Sequence, residues 1–568
     1  MLNEKVAKIL NSIADYLEME DDFFRVKAYR QAAHTVEVLT TDIETIHQEG
    51  KLIKLPGIGQ HIAGKIEEII EKGTADFYEK LKEKYPVNFE ELRGVEGLGP
   101  KTIKLLYQEL GIKNLDDLER EAKRHHIRRL KGMGDKKEKA LLENIVFARK
   151  FRSRNLLGEV MPLAEKIKKR IEALPQSRKV EIVGSIRRRK ETVGDIDVLV
   201  TTPQPQDIMD YFVSMDLVGE IIVQGPSKST VRLKDGIECD IRVFDEEVFG
   251  AALMYFTGSK EMNVEMRKIS ISRGMKLSEY GLFKKEKRVA GKKEEDIFHA
   301  LEMDYIPPEL RENRGEVEAA QKGELPLLLK VEDIKGDLHL HSNWSDGKNT
   351  LEEMVLGAIF KGYEYVAITE HTGSLKIANG LGEEKLMQQA REIDRLNDEL
   401  ENITILKGAE VNIDLDGRLD IRDEVLQEMD VVVAAVHSGL NQGYFDLTRR
   451  IVTAMENENV DILAHPTGRK LQKRKESEVN LNQIFDVAQE TGTLLEVNSN
   501  PVRLDLRDMN VKRALEHGCK LVVNTDAHSQ NQLNNIQLGV GTARRGWAQK
   551  KDVVNTLPLK GFLKALKD

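Results

Sequence analysis

The 568-residue chain is 40% hydrophobic and 32% charged. At roughly 100–200 residues per domain it predicts three to five cores. A net charge of −9 argues against a protein that coats nucleic acid by bulk charge, although local basic faces remain open to it. No run of about 18 apolar residues offers a membrane span, and two cysteines, Cys239 and Cys519, cannot build a disulfide framework. The acidic, amphipathic N-terminus lacks a secretory layout, so a cytoplasmic monomer is expected.

Residues 1–150 read as helices, with Val6, Ile9, Leu10, Ile13 and Leu17 at i, i+3, i+4 spacing. Three turns interrupt them: LPGIG (55–59), VEGLG (95–99) and LKGMG (130–134). They form an imperfect repeat of about 35–40 residues. Such a turn aims backbone N–H groups and a helix dipole at one point, which suits a phosphate. Gly57, Gly59, Gly97, Gly99, Gly132 and Gly134 would let a DNA backbone approach closely. Na⁺ or K⁺ is the cation such a turn would share with the phosphate. An ordinary helical hairpin also needs glycine, but three copies favour the binding reading. The basic run Lys123–Lys139 then reads as a surface that tracks phosphates.

Strands and helices alternate from 151 to 245. In GSIRRRKETVGDIDVLV (184–200), Asp195 and Asp197 stand at i and i+2, so a strand puts both on one face. Adjacent carboxylates repel unless a divalent cation lies between them. Asp240, in the strand-like IECDIRVF, completes a triad whose hard oxygens suit Mg²⁺ or Mn²⁺. Two ions there would activate a 3′-hydroxyl and stabilise a leaving pyrophosphate, with Ser185 and Arg188 on phosphate oxygens. Residues 246–315 read as a small, mostly α region, and 316–335 as a linker that suggests mobile domains.

Seven apolar runs follow: KGDLHLH, YEYVAITEH, ITILKGAEV, DVVVAAVH, VDILAHP, TLLEVNSN and KLVVNTDAH. Separated by helix-like segments, they predict a parallel (β/α)7-type barrel. Six of the seven end in His or a carboxylate, at the rim where catalytic groups project. The set is His339, His341, Asp346, His371, Glu410, His437, His465, Asp526 and His528. Nine mixed ligands suit a cluster of two or three Mn²⁺ or Zn²⁺ ions, bridged by Glu410, that would hydrolyse a phosphoester. His517, on a helix-like segment, reads as structural.

GSIRRR…GDIDVLV, CDIRV and YFTGS (255–259) resemble the motifs of family X DNA polymerases. HLHS, ITEH, GAEV, VHSG, AHP and TDAH resemble the PHP (polymerase and histidinol phosphatase) family. The combination is identified as a bacterial family X polymerase with a C-terminal PHP domain. The resemblance implies a multidomain α+β and α/β protein. Its parts would be a lyase-like helical domain (1–85), a helix-hairpin-helix fingers-like domain (86–150), a nucleotidyltransferase palm (151–245), a thumb (246–315), the linker, and a PHP domain (336–568). It implies metal binding by Asp195, Asp197 and Asp240, and triphosphate binding by Gly184, Ser185 and Arg188. Tyr255, Phe256 and Gly258 would wall the sugar, with Asn263 and Arg267 at the nascent base pair. The first two Gly turns match the family's helix-hairpin-helix motifs. The family's lyase nucleophile falls on Lys65, which would otherwise bind a 5′-phosphate. The implied partners are gapped or nicked duplex DNA and deoxynucleoside triphosphates. The implied activities are gap-filling synthesis in DNA repair and Mn²⁺-dependent 3′–5′ exonuclease, with abasic-site processing as a further option. The alternative is a nuclease or phosphatase whose polymerase module mainly delivers DNA.

Overall fold

The structure, a computed structural model, describes residues 2–37, 39, 43–93, 95, 97–152, 154–373, 375 and 378–566. The chain divides into two compact units, Met1–Ser153 with Gln472–Lys475, and Arg154–Leu471 with Glu476–Asp568. Among the described residues no helix is long and apolar enough to cross a membrane.

The first unit is helical. In helix Leu2–Met19, Val6, Leu10, Ile13 and Leu17 are fully buried. They share one apolar cluster with Ile66 and Ile69 of Gln60–Lys72 and with Ile103 and Leu106 of Pro100–Leu110. The three Gly turns repeat one geometry. Gly57, Gly97 and Gly132 have φ of 74°, 90° and 80°, the left-handed region where a side chain is strained. The next residue but one before each glycine accepts from the residue just after it: Ile58 N to Leu55 O at 3.2 Å, Leu98 N to Val95 O at 3.1 Å, Met133 N to Leu130 O at 3.0 Å. Gly59 and Gly99 then cap the helices that follow, and Gly134 O accepts from Glu138 N at 3.0 Å. Glu96, inside the second turn, lies outside the described residues.

The second unit opens with a five-stranded sheet. Its order is Lys179–Ile182, Asp195–Thr201, Glu238–Val243, Lys228–Leu233, Val218–Gln224. In DIDVLVT the alternation decides the faces. Ile196, Val198 and Val200 join a core with Ile167 and Ile171 of helix Leu157–Glu172. Leu199 points the other way, against Phe249 and Ala252 of helix Phe249–Thr257. Asp195 and Asp197 share the parity of Leu199 and therefore its face.

The 246–315 region is less helical than expected. It holds an antiparallel sheet of Met275–Ser278, Gly281–Lys284 and Lys287–Ala290. Its four-residue, lysine-rich strands carry too few apolar residues to show a period. The stretch 316–335 departs from the linker reading. Helix Glu316–Lys322 sets Val317 and Ala320 into the apolar cluster of the preceding region, as does Leu328, while Leu329 enters the barrel core. Apolar residues spaced through a charged run made it look like a linker.

The barrel sheet has seven parallel strands in chain order: Gly336–Leu340, Tyr365–His371, Thr404–Asn412, Val431–Ala435, Ile462–Leu463, Leu494–Asn498 and Leu521–Asn524. A parallel bridge from Leu340 to Ala527 brings the last strand back toward the first, so the sheet nearly closes.

Candidate active sites

The palm site rests on strand register. Asp195–Thr201 and Glu238–Val243 pair in parallel, with Asp197 opposite Asp240. Burial, then Asp195 and Asp240, push the Asp197 carboxyl up to about 7. Burial and Asp240 also raise Asp195, the like-charge signature expected of clustered carboxylates. Asp240 is held by Thr230 Oγ1 at 2.7 Å, Lys228 Nζ at 2.9 Å and Arg242 Nη2 at 3.2 Å. Gly184 stands against the triad: a Cβ there would lie 2.7 Å from Asp197 Oδ2. Ser185 follows it in the short helix Gly184–Arg187. Arg188 donates from Nε to Glu312 Oε1 at 3.1 Å and from Nη1 to the Thr257 carbonyl. That second contact ties Arg188 to the YFTGS segment. A Cβ on Gly258 would come within 3.1 Å of Arg188 Nη1. Tyr255, Asn263 and Arg267 line one small cavity with Ala251 and Met254. In it Asn263 Nδ2 donates to the Tyr255 carbonyl at 2.7 Å. Phe256 lies under the Arg242 guanidinium, 4.8 Å from ring centre.

In the helical unit, Gly59, Gly97, Gly99, Gly132 and Gly134 have no atom within 4 Å of a would-be Cβ, so the second and third turns are open; at the first turn a Cβ on Gly57 would lie 2.7 Å from Gln31 Cγ, so that position is covered. Part of the basic run has local partners. Arg128 Nε donates to the buried Glu138 carboxylate at 2.6 Å, and Lys137 Nζ to the Gly132 carbonyl at 2.6 Å. Arg129, Lys131, Lys136 and Lys139 are exposed. Lys65, on Gln60–Lys72, donates to Glu68 Oε1 at 2.6 Å, and this bond lowers the Glu68 carboxyl.

The barrel gathers all nine residues that its motifs single out. Glu410 is their centre. His371 Nδ1 lies 2.5 Å from its Oε2, and His437 and His465 Nε2 each lie 3.2 Å from its Oε1. His339 and His341 stand at 3.4 and 3.7 Å. Three overlapping groups have ligand atoms within 4.8 Å of one another: His341, Asp346, His371 and His528; His339, His341 and Asp526; His371, Glu410 and His437. Among the described residues the palm triad is not such a group. Burial, His528 and His371 push His341 down to about 3, so its ring is neutral. Against burial, Asp346 and Asp526 lift His528 to about 9. The donor set fits metal ions. Among the described residues, both ring nitrogens of His341 and of His437, and His339 Nε2, are buried without a hydrogen-bond partner. Buried imidazole nitrogens are rarely left so unless they face a ligand.

Among the groups behind these ligands, the sequence reading missed Glu496. TLLEVNSN was the run with no ligand assigned. Its Glu496 sits 2.7 Å from His339 Nδ1 and accepts from His465 N at 2.8 Å. Asn498 Nδ2 bonds both Glu496 and Asp526, at 3.0 and 3.1 Å. Glu370 accepts from Ser342 N at 2.9 Å and Gln389 Nε2 at 3.0 Å, behind the ligands. The i, i+2 spacing of Glu496 and Asn498 was the available signal. His517 lies apart and pairs with Asp486 at 2.8 Å.

Stretches of the chain match five families: helix-hairpin-helix domain (1–75), SAM-like helix-hairpin-helix tandem (89–145), DNA polymerase beta palm (157–229), DNA polymerase beta thumb (252–312) and PHP domain (337–500). The tandem covers the third Gly turn as well as the second. A "probable phosphatase" of Thermoanaerobacter sp. (strain X514) is 27% identical over 39% of this chain and 89% of its own. A solved structure of Leishmania infantum polymerase beta in a ternary complex covers 39% of this chain and 97% of its own, at 25% identity and a TM-score of 0.27. "DNA polymerase/3′-5′ exonuclease PolX" of Bacillus subtilis (strain 168) is 38% identical over 99% of this chain and 100% of its own. Identity of that extent over nearly the whole of both chains shows that this chain belongs to the PolX family.

Proposed function

We propose that the chain is a DNA-directed DNA polymerase that fills short gaps during repair, joined to a metal-dependent 3′–5′ exonuclease in the barrel. The observation that carries this is the completeness of both sites in one chain: Asp197 beside Asp240, with Asp195 on the same strand face, and all nine barrel groups around Glu410. Asp195, Asp197 and Asp240 would hold Mg²⁺ or Mn²⁺. Such ions would supply Lewis acidity toward a 3′-hydroxyl and the phosphates. Gly184 leaves room beside Asp197, and Ser185 and Arg188 bind the triphosphate. Tyr255, Phe256 and Gly258 wall the sugar, while Asn263 and Arg267 face the base pair. The five open turn glycines, Gly59, Gly97, Gly99, Gly132 and Gly134, receive duplex phosphates with Na⁺ or K⁺. Lys65, paired with Glu68, suits a 5′-phosphate ligand better than a nucleophile, which needs a free amine. In the barrel, the nine residues would hold two or three Mn²⁺ or Zn²⁺ ions, which supply Lewis acidity for phosphoester hydrolysis. Glu496 and Asn498 fix the orientation of His339 and Asp526.

One observation favours a second reading, a nuclease or phosphatase served by the polymerase module. The barrel groups close to ligand spacing in three overlapping sets. A gapped duplex with a 5′-labelled primer and a 5′-phosphate across the gap separates the two. With Mn²⁺ and nucleotides, we expect extension that Asp195→Ala abolishes. Without nucleotides, we expect shortening that only His339→Ala abolishes. Shortening without extension in the unaltered chain would replace the first reading with the second.

A further inference from the structure

We infer that the barrel domain holds the triphosphate side of the palm in shape: Arg545, assisted by Arg469, positions the 184–191 turn that presents Ser185 and Arg188. This rests on the polymerase reading above. The turn GSIRRRKE connects two strands of the palm sheet, yet much of its support comes from the far end of the chain. Arg545 ends helix Ile536–Arg545 and is 7% exposed. Its Nη1 donates to the Arg188 carbonyl at 2.8 Å and to Glu312 Oε1 at 3.0 Å. Its Nη2 donates to Asp508 Oδ2 at 2.7 Å. Glu312 Oε1 is the same oxygen that accepts from Arg188 Nε at 3.1 Å, and Lys190 Nζ lies 3.6 Å from its other oxygen. Arg545 thus grips Arg188 twice, through its backbone and through a shared carboxylate.

The neighbouring contacts run the same way. The helix carrying Arg545 comes so close that a Cβ on Gly541 would lie 3.2 Å from the Arg189 side chain. Glu191 closes the turn on Arg469 Nη2 at 2.8 Å, and that arginine also bonds the Leu504 carbonyl. Burial opposes the charge on Arg545, but Asp508 and Glu312 outweigh it. Arg188, Lys190, Arg314 and Arg545 surround the two carboxylates Glu312 and Asp508. The cluster therefore keeps a positive surplus, which complements a triphosphate. Arg545 touches no reacting atom in this reading. It is a positioning residue. A lysine cannot span the Arg188 carbonyl, Glu312 and Asp508 together, because it lacks the planar fork.

The test uses the full-length chain with Arg545→Ala and Arg545→Lys. Single-nucleotide insertion on a gapped duplex is measured over a range of nucleotide concentration, and 3′ shortening without nucleotide serves as the internal control. For Arg545→Ala we expect KM for the nucleotide to rise about tenfold while kcat changes less than about threefold. Shortening should stay within about twofold, and Arg545→Lys should recover only part of the loss. An unchanged KM would overturn the inference, as would an equal fall in insertion, shortening and melting temperature. If Arg545→Ala fails to fold, Glu312→Gln replaces it with little change of volume. The same KM rise is expected, and an unchanged KM again overturns the inference. Absence of extension in the unaltered chain would instead sink the polymerase reading itself.

Discussion

At the scale of the residue, Asp197 shows what burying a carboxylate beside two others costs the fold. Its folded carboxyl titrates at about 7, against an ordinary 3.8. Below that ordinary value it is protonated both folded and unfolded. As pH rises from 3.8 to about 7 the unfolded chain loses the proton first, so the stability associated with the raised value is lost across that window. Above it the penalty is constant, on the order of 4 kcal/mol at most. Asp197→Asn removes the charge and keeps the shape. In chelator, its melting temperature should exceed that of the unaltered chain by several degrees at pH 8, with the gain vanishing as pH falls toward 4. A gain independent of pH would mean that ionisation of the buried Asp197 carboxyl is not the cause. The i, i+2 pair of aspartates was legible as one strand face. That Asp240 would stand opposite Asp197 was not, because the pairing joins positions 43 residues apart (197 to 240) and no local pattern encodes a register.

At the scale of the element, the helix-hairpin-helix turns separate two uses of glycine. Gly97 has φ of 90°, so an alanine there is strained by about 1–2 kcal/mol. Gly99 has φ of −83° and nothing within 4 Å of a would-be Cβ. Alanine at 99 should therefore leave the melting temperature unchanged and weaken binding to a gapped duplex severalfold, because the methyl stands where a phosphate would approach. Gly97→Ala should lower the melting temperature. Normal DNA binding by Gly99→Ala, measured by fluorescence anisotropy, would remove the second turn from the proposed DNA surface. The seven barrel strands were readable because buried parallel strands are continuous apolar runs that end at the rim. The palm strands Val218–Gln224 and Lys228–Leu233 and the small sheet after Ser272 were not, because edge and hairpin strands carry mixed polarity.

At the scale of the whole molecule, the palm core is completed by the barrel. Leu471, Leu504 and Leu538 are buried in the same apolar cluster as Ile167, Val198 and Phe212. A Cβ on Gly158 would overlap Pro501, at 2.6 Å. Each buried leucine contributes roughly 1.5–3 kcal/mol. A chain cut after residue 335 should therefore aggregate or melt several degrees below the full chain, even though it keeps every palm and thumb residue. A cut chain that stays soluble and melts at an unchanged temperature, followed by calorimetry, would show that the palm core closes on its own. The reading of 316–335 as a linker overlooked packing that is visible only at this scale. Composition cannot reveal that Val317, Ala320, Leu328 and Leu329 find partners in two different clusters.

Read alone, the sequence determined the succession of domains, the aspartate pair and the nine barrel groups, because strand alternation and rim position are local properties of the chain. Tertiary structure decided which groups meet: Asp197 with Asp240, Glu496 behind His339, and Arg545 against Arg188. Each of those contacts joins distant segments through packing of surfaces, and the free energy that selects one packing over another is spread over many residues rather than written at any one of them.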